Sequence, residues 1–442
     1  MTVLVLNDGV DSCDGRRMGC NSSKNDAVAQ SPQDVRAPLP ESPGGVSTSG
    51  GAQPKKSMAG LPPNAQGQTP GVMVAAQSQA TDASAYFELG ALLASVESGA
   101  IAPLRGRWLV KLQEEGGVLK RRQDLPPEAF WSPSELRRVA TALGNNFGCL
   151  FVALSYRWLT KEHPDPDGFH LKIVASVAKL YMGLAGSQAD HSPLVKAFSN
   201  IGVETDFALF WDFASLHQPP RSDAQTALFK EGLKLSNKWY GHAHTVCWMQ
   251  SELPDTFDGV AYENSGWCFV EAAISAAIKI GLNRLDLGKR TGRAMDWCYG
   301  SDSYMPEARL DCVCAGQRLP PPTPETVSRL LETEKVFTNR ADVATVANLY
   351  RSFFEVVTSS VEHLDVSKLA WGDEEVWLLA QVLPQFEKLS TLDLSGNQIG
   401  PVGAKDIAEF CAVSGSLTSV GASPELQPTG PALTHFFLAC TD

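Results

Sequence analysis

Three apolar runs constrain this chain more than anything else in it: "CLFVALSYRW" at 149–158, "DFALFWDFASL" at 206–216 and "HTVCWMQ" at 244–250. Each is too short for a helix of ordinary length, carries β-branched or aromatic residues, and ends in polar groups. Continuous rather than alternating hydrophobicity predicts strands buried on both faces, as in a parallel sheet. Helical periodicity follows each run, in "GFHLKIVASVAKLYMGLA", "AQTALFKEGLKLSNKWYGHA" and "NSGWCFVEAAISAAIKIG". Strands alternating with helices over short connections predict right-handed crossovers and an α/β fold with a doubly wound parallel sheet spanning 148–300. Ligands of such sheets sit beyond the carboxyl ends of the strands. Those ends are Tyr156-Arg157-Trp158, Asp212-Phe213-Ala214 and Trp248-Met249-Gln250.

The third predicted helix poses a chemical question. It is apolar almost all round, yet Glu271 stands in its second turn among Phe269, Val270, Ala272 and Ala273. Trp267, Glu271, Ile274 and Ile278 share one face of it. A carboxylate there must be hydrogen-bonded, paired, or at the edge of a cleft. One reading pairs it with Arg157 or a strand-end amide, holding helix to sheet. The other sets it at the rim of the sheet as a reactive group with a raised pKa.

Residues 1–83 differ in kind. Pro, Ser, Gly, Gln and Ala dominate from 25 onward, as in "SPQDVRAPLPESPGGVSTSGGAQPKKS", and such a segment buries too little apolar surface to offset its ordering entropy. It is expected to be a disordered tether. Within it, "MGCNSSK" at 18–24 matches a myristoylation signal if translation starts at Met18, with Gly19 acylated and Cys20 beside it as a second lipid site. Two acyl groups give the stable anchorage that one does not. Started at Met1, the chain holds the same motif internally, as an accident. No run of 18 apolar residues occurs, so no membrane-spanning segment is expected. The net charge of −12 argues against a nucleic-acid partner. Ten cysteines without a secretory leader suit a reducing, cytoplasmic compartment, with the inner face of a membrane added by acylation.

Residues 84–147 read as a helical prelude, in which Ser132 and Glu135 form a capping box. A linker covers 301–335. Over 336–422 the chain repeats itself: "LSTLDLSGNQIGPVGAKDI" at 389–407 is preceded 28 positions earlier by "VEHLDVSKLAWGDEEVWLL", and Leu417 falls 28 after Leu389. Leu389, Leu392, Leu394, Asn397 and Ile399 resemble the ribonuclease-inhibitor type of leucine-rich repeat, which implies a protein-binding segment. Two repeats and a fragment leave the array either truncated or capped by "TNRADVATVANLYRSFFEVV". The tail, 423–442, is irregular, and Cys440 lies one place off a prenylation box.

The central block resembles the Toll/interleukin-1 receptor (TIR) superfamily and its relative, the heterokaryon-incompatibility domain, over about 149–285. "FVALSYRW" is similar to the first-strand box, "FWDFASLHQ" to a second-strand box, and "GWCFVEA" to the "WCxxE" opening of the third helix. The resemblance implies a flavodoxin-like sheet, self-association and, in some members, cleavage of NAD at the nicotinamide bond. It makes Glu271 the essential carboxylate, with Tyr156, Arg157, Trp158, Asp212, Trp267 and Cys268 around the ligand. The chain departs from the family in "LTKEHPDPDGFHL" after the first strand and in His217-Gln218-Pro219 after the second. The expected function is therefore a tethered signalling scaffold that self-associates and binds proteins through its repeats, with a NAD-cleaving hydrolase as the alternative. NAD enters as substrate; no resident cofactor or metal is assigned. His242, His244 and Cys247 have metal-like spacing but enter a buried strand, "DCVC" with Cys298 lacks a matching second pair, and nothing local supports Cys268 and His217 as a nucleophile pair.

Overall fold

The computed structural model describes residues 83–185, 192–279, 283–290, 314–414 and 416–421. The readings at Gly19, Cys20, Cys298, Cys440 and the tether lie outside them. Among the described residues no helix is long and apolar enough to cross a membrane.

In chain order the elements begin with α1 (Leu89–Glu97), β1 (Leu104–Arg105), α2 (Gly106–Glu114) and α3 (Pro133–Leu143). The sheet elements follow: β2 (Phe151–Tyr156), α4 (Phe169–Tyr181), α5 (Pro193–Ile201), β3 (Ala208–Phe210), α6 (Asp212–Ser215), α7 (Asp223–Gly241), β4 (Val246–Gln250), α8 (Gly266–Ala277) and β5 (Arg284–Asp286). Two helices, α9 (Pro324–Thr333) and α10 (Asp342–Ser360), lead to β6 (His363–Asp365), α11 (Asp373–Val382), β7 (Thr391–Asp393), α12 (Pro401–Val413) and β8 (Ser419–Gly421).

The first sheet has the order β1-β3-β2-β4-β5, parallel throughout except for β1 at its edge. β2 and β4 lie inside, and every residue of both is buried. This is why they read as unbroken apolar runs. Alternation along β2 sorts its side chains to two faces. Phe151 stacks edge-on with Trp239 of α7, and Phe210, level with Ala153, lies beside Trp239 and Tyr240. On the other face Trp248, level with Leu154, meets Tyr181 of α4.

Four expectations are amended. The prelude contributes β1 to the sheet and donates the Trp131 indole to the Phe207 carbonyl at 3.0 Å, so it is part of the same core. Ser132 does cap α3 by accepting from the Glu135 amide, but the Glu135 carboxylate turns away to Arg105. The second apolar run is a strand only over Ala208–Phe210; at Asp212 it bends into α6, whose Phe213 amide donates to Asp212 Oδ1 at 2.6 Å. Finally, α8 stops at Ala277 rather than running on to Gly281.

The second sheet, β6-β7-β8, is parallel, with His363, Thr391 and Ser419 in one register. The 28-residue step in the sequence is therefore the strand-to-strand step of the sheet. Leu364, Leu392 and Val420 are buried in one core with Val376 and Leu379 of α11 and Ile407 of α12, and the two helices pack on each other. Asn397 binds the two turns together: it accepts from the Leu369 and Trp371 amides at 3.0 and 3.2 Å and donates to Val366 O and Leu394 O at 2.8 and 2.9 Å.

Candidate functional site

Parallel strands leave their carbonyl ends together, and the order β3-β2-β4 reverses direction in sequence at β2. Beyond the end of such a strand the connections part to opposite faces and leave a crevice. Ser155 and Tyr156 are the last two residues of β2, and alternation sends them to opposite sides. Two polar clusters result.

On the face covered by α7 and α8, Ser155 Oγ donates to Glu271 Oε2 at 2.6 Å. The Tyr262 hydroxyl, just ahead of α8, lies 2.6 Å from the same Oγ. Tyr240 of α7 donates to Leu154 O at 3.0 Å and stands beside the carboxyl. Glu271 itself is half-buried, while Ser155 and Tyr262 are buried. Removal from water pushes the Glu271 pKa up to about 8; the Ser155 hydrogen bond opposes the rise, the Asp212 carboxylate adds to it, and Tyr240 opposes it more weakly. No ion pair to Glu271 occurs among the described residues, so the pairing with Arg157 does not form.

Around the strand end, Tyr156 Oη donates to Asp212 Oδ1 at 2.8 Å and Trp158 Nε1 to Oδ2 at 3.2 Å. With the Phe213 amide these donors occupy both carboxylate oxygens. Burial raises the Asp212 pKa, opposed by those donors. The residue acts as a hub that fixes Tyr156 and Trp158. The two clusters meet at the strand itself, where Cys268 Sγ donates to Tyr156 O at 3.3 Å.

Other predicted members are elsewhere. The Trp267 indole donates to Asp342 Oδ2 of α10 at 3.2 Å, joining helix to helix. Cys268 is buried and its pKa is pushed up by burial, which suits a thiol and not a thiolate. It forms no hydrogen bond with His217, whose pKa is lowered by burial and then by Arg122 and Arg221. His242 uses both ring nitrogens, Nε2 against Glu88 O and Nδ1 against the His244 amide. Among the described residues no group of three His, Cys, Asp or Glu could hold a metal.

Arg157 lies half-buried over the Phe257 ring, with its Nε buried and unpartnered. Similar unmet atoms recur along the carboxyl edge: Trp211 Nε1 and His217 Nδ1 after β3, Gln250 Oε1 at the end of β4, and Arg290 Nε after β5. His170 Nδ1, Trp248 Nε1 and Asp406 Oδ2 are likewise buried without a protein partner, so such atoms are not confined to this edge.

Ser155, Tyr262 and Tyr240 were not among the residues that sequence reasoning singled out. A signal for Ser155 exists: it is the one polar residue at the 151, 153, 155 positions that face α7 and α8. Compared with known proteins, the chain matches no family model, no curated protein and no solved structure.

Proposed function

We propose that this chain is a signalling protein in which a TIR-like module cleaves NAD at the nicotinamide bond, with Glu271 as its reactive carboxylate. The observation that carries the reading is the state of Glu271: set at the sheet's carboxyl edge, hydrogen-bonded to Ser155, and in no ion pair among the described residues. A carboxyl held for structure alone would gain from an arginine, and Arg157 instead lies over the Phe257 ring. In its ionised form, which a pKa of about 8 makes the minority at neutral pH, the group would stabilise positive charge on the ribose as nicotinamide leaves, and turnover would rise with pH. The Arg157 guanidinium would face the dinucleotide's phosphates, as guanidinium groups do. The strand order of the parallel part agrees with a flavodoxin-like sheet.

The rest of the chain supports a second, compatible role as a scaffold. The 28-residue register and the Asn397 bridge fit leucine-rich repeats, and Trp377, Leu378 and Val402 are large apolar groups left exposed on their helices. These would bind a protein partner, while acylation at Gly19 and Cys20 would hold the self-associating module at a cytoplasmic membrane face.

The test is NAD cleavage by the full chain at rising protein concentration, wild type against Glu271→Gln. Turnover should fall at least about 100-fold in a variant that keeps its melting temperature, as expected when a transition-state contact is lost. A wild type without turnover at any concentration overturns the enzymatic reading and leaves the scaffold.

A further inference from the structure

A carboxyl on a helix can rotate about its terminal bonds, so a reactive one needs something to hold it. Ser155 has a single proton, and when Glu271 is ionised that proton is given to its Oε2 across 2.6 Å. The equally short contact with Tyr262 must then use the phenol's proton. The result is a one-way row of donors, Tyr262 to Ser155 to Glu271, that ends on an acceptor. Such a row favours the charged form of its last member. The titratable groups interacting with Glu271 include Asp212 of α6, Tyr240 of α7, Cys247 of β4, Cys268 of α8 and Tyr262, all of them acids; Arg157 acts on Cys268, and Lys279 and Arg284 on Cys247, so cations stand one group further out. Ser155 is wholly buried at the end of the innermost strand, out of reach of bulk solvent.

We propose that Ser155, oriented by Tyr262, is a positioning residue for Glu271: it locks the carboxyl in one orientation and favours its ionised form. The word reactive rests on the reading of Glu271 given above, whereas the ionisation itself can be followed without substrate.

That ionisation can be read from stability. Glu271 ionises near its ordinary 4.5 when the chain is unfolded and near 8 when folded. As pH rises the unfolded chain loses this proton first, so the residue favours folding most at low pH and that advantage declines until the folded group ionises too. The melting temperature of each chain minus that of its Glu271→Gln counterpart, measured across pH, therefore stops changing at the folded midpoint. Ser155→Ala should move that midpoint up by about half to one pH unit, the equivalent of one hydrogen bond. Ser155→Thr, which keeps a hydroxyl, should restore it. If Ser155→Ala fails to fold, Tyr262→Phe decides, with a smaller shift in the same direction. An unchanged or lowered midpoint overturns the proposal. Where NAD is cleaved, Ser155→Ala should lower kcat and displace the pH profile upward with KM little changed. Absence of turnover removes the enzymatic reading but leaves the midpoint measurement intact.

Discussion

His242 and Glu271 are taken out of water by neighbouring elements, the end of α7 and the second turn of α8, and both respond by favouring the neutral form. For a carboxyl this means a higher pKa and for an imidazole a lower one. Burial and then the Lys279 ammonium bring His242 down to about 3. Lys279 Nζ donates to His242 O at 3.0 Å, so the cation cannot move away. As pH falls, the unfolded chain takes up the imidazole proton first, near its ordinary 6.5. Stability from this residue is complete above that pH and is lost on the way down to about 3, at about 1.4 kcal/mol per pH unit. Acidification from pH 6.5 to 5 should cost the His242→Gln variant about 2 kcal/mol less stability, read by urea unfolding, than it costs the wild type. Equal losses in the two chains would mean that the imidazole is solvated in the folded state. The depressed pKa was not legible beforehand, because the spacing His242, His244, Cys247 suggested ligands, and it takes the fold to bring Lys279 and the Glu88 carbonyl to this ring.

At the scale of elements, what was legible followed from length and period. β2, β4, α4 and α7 are long enough for their own residues to declare them. β1 and β5 have two and three residues, "LR" and "RLD", and exist because a neighbouring strand offers partners. α8 looks helical through Gly281 by pattern, yet Ile278 leaves the helical region at φ −132° and the Ala276 and Ala277 carbonyls go to Arg318. The site followed the same division. Glu271 was visible as a misfit on an apolar helix and the strand ends as polar punctuation, whereas Ser155 and Tyr262 become partners only through folding. In the repeats the sequence spoke most plainly, because a fixed step of 28 is also a fixed register. Lys368 at φ 55° occupies the place of Gly396 at φ 70°, so even the left-handed turn is repeated, with a residue less suited to it. Asn397, with four hydrogen bonds to the two turns, is the residue on which their stacking depends. Asn397→Ala should destabilise this segment by about 2–4 kcal/mol, from several bonds each of modest net value. Amide exchange would detect it as faster opening of β6 and β7, with the α7 and α8 amides unchanged.

Across the whole molecule, the two sheets meet at Arg318. Its guanidinium donates to Ala276 O at 2.5 Å and Ala277 O at 2.9 Å, at the end of the helix that carries Glu271, and to Asp365 O of β6 at 2.7 Å. Its own carbonyl accepts from the Trp371 indole at 2.7 Å. Burial lowers its pKa to about 10, which leaves it charged at neutral pH. A cation at the negative end of α8 is favourable in itself, and Arg284 adds a second by reaching Ser275 and Ala272 O. A second tie runs through α10, where Asn237 of α7 donates to Leu349 O and Trp267 to Asp342. The repeats are thus fixed to the sheet that bears the candidate site. Arg318→Met keeps much of the apolar stem but leaves three carbonyls without their donor, a loss of about 3 kcal/mol. Calorimetry should then resolve two transitions where the wild type has one, the repeats melting first. Arg318→Lys should fall close to the Met variant, because a single ammonium cannot span the geometry of a planar fork. One unsplit transition within about 1 °C of the wild type, for a residue whose loss should cost several degrees, would mean that the α10 contacts alone join the sheets and that Arg318 merely caps the helix.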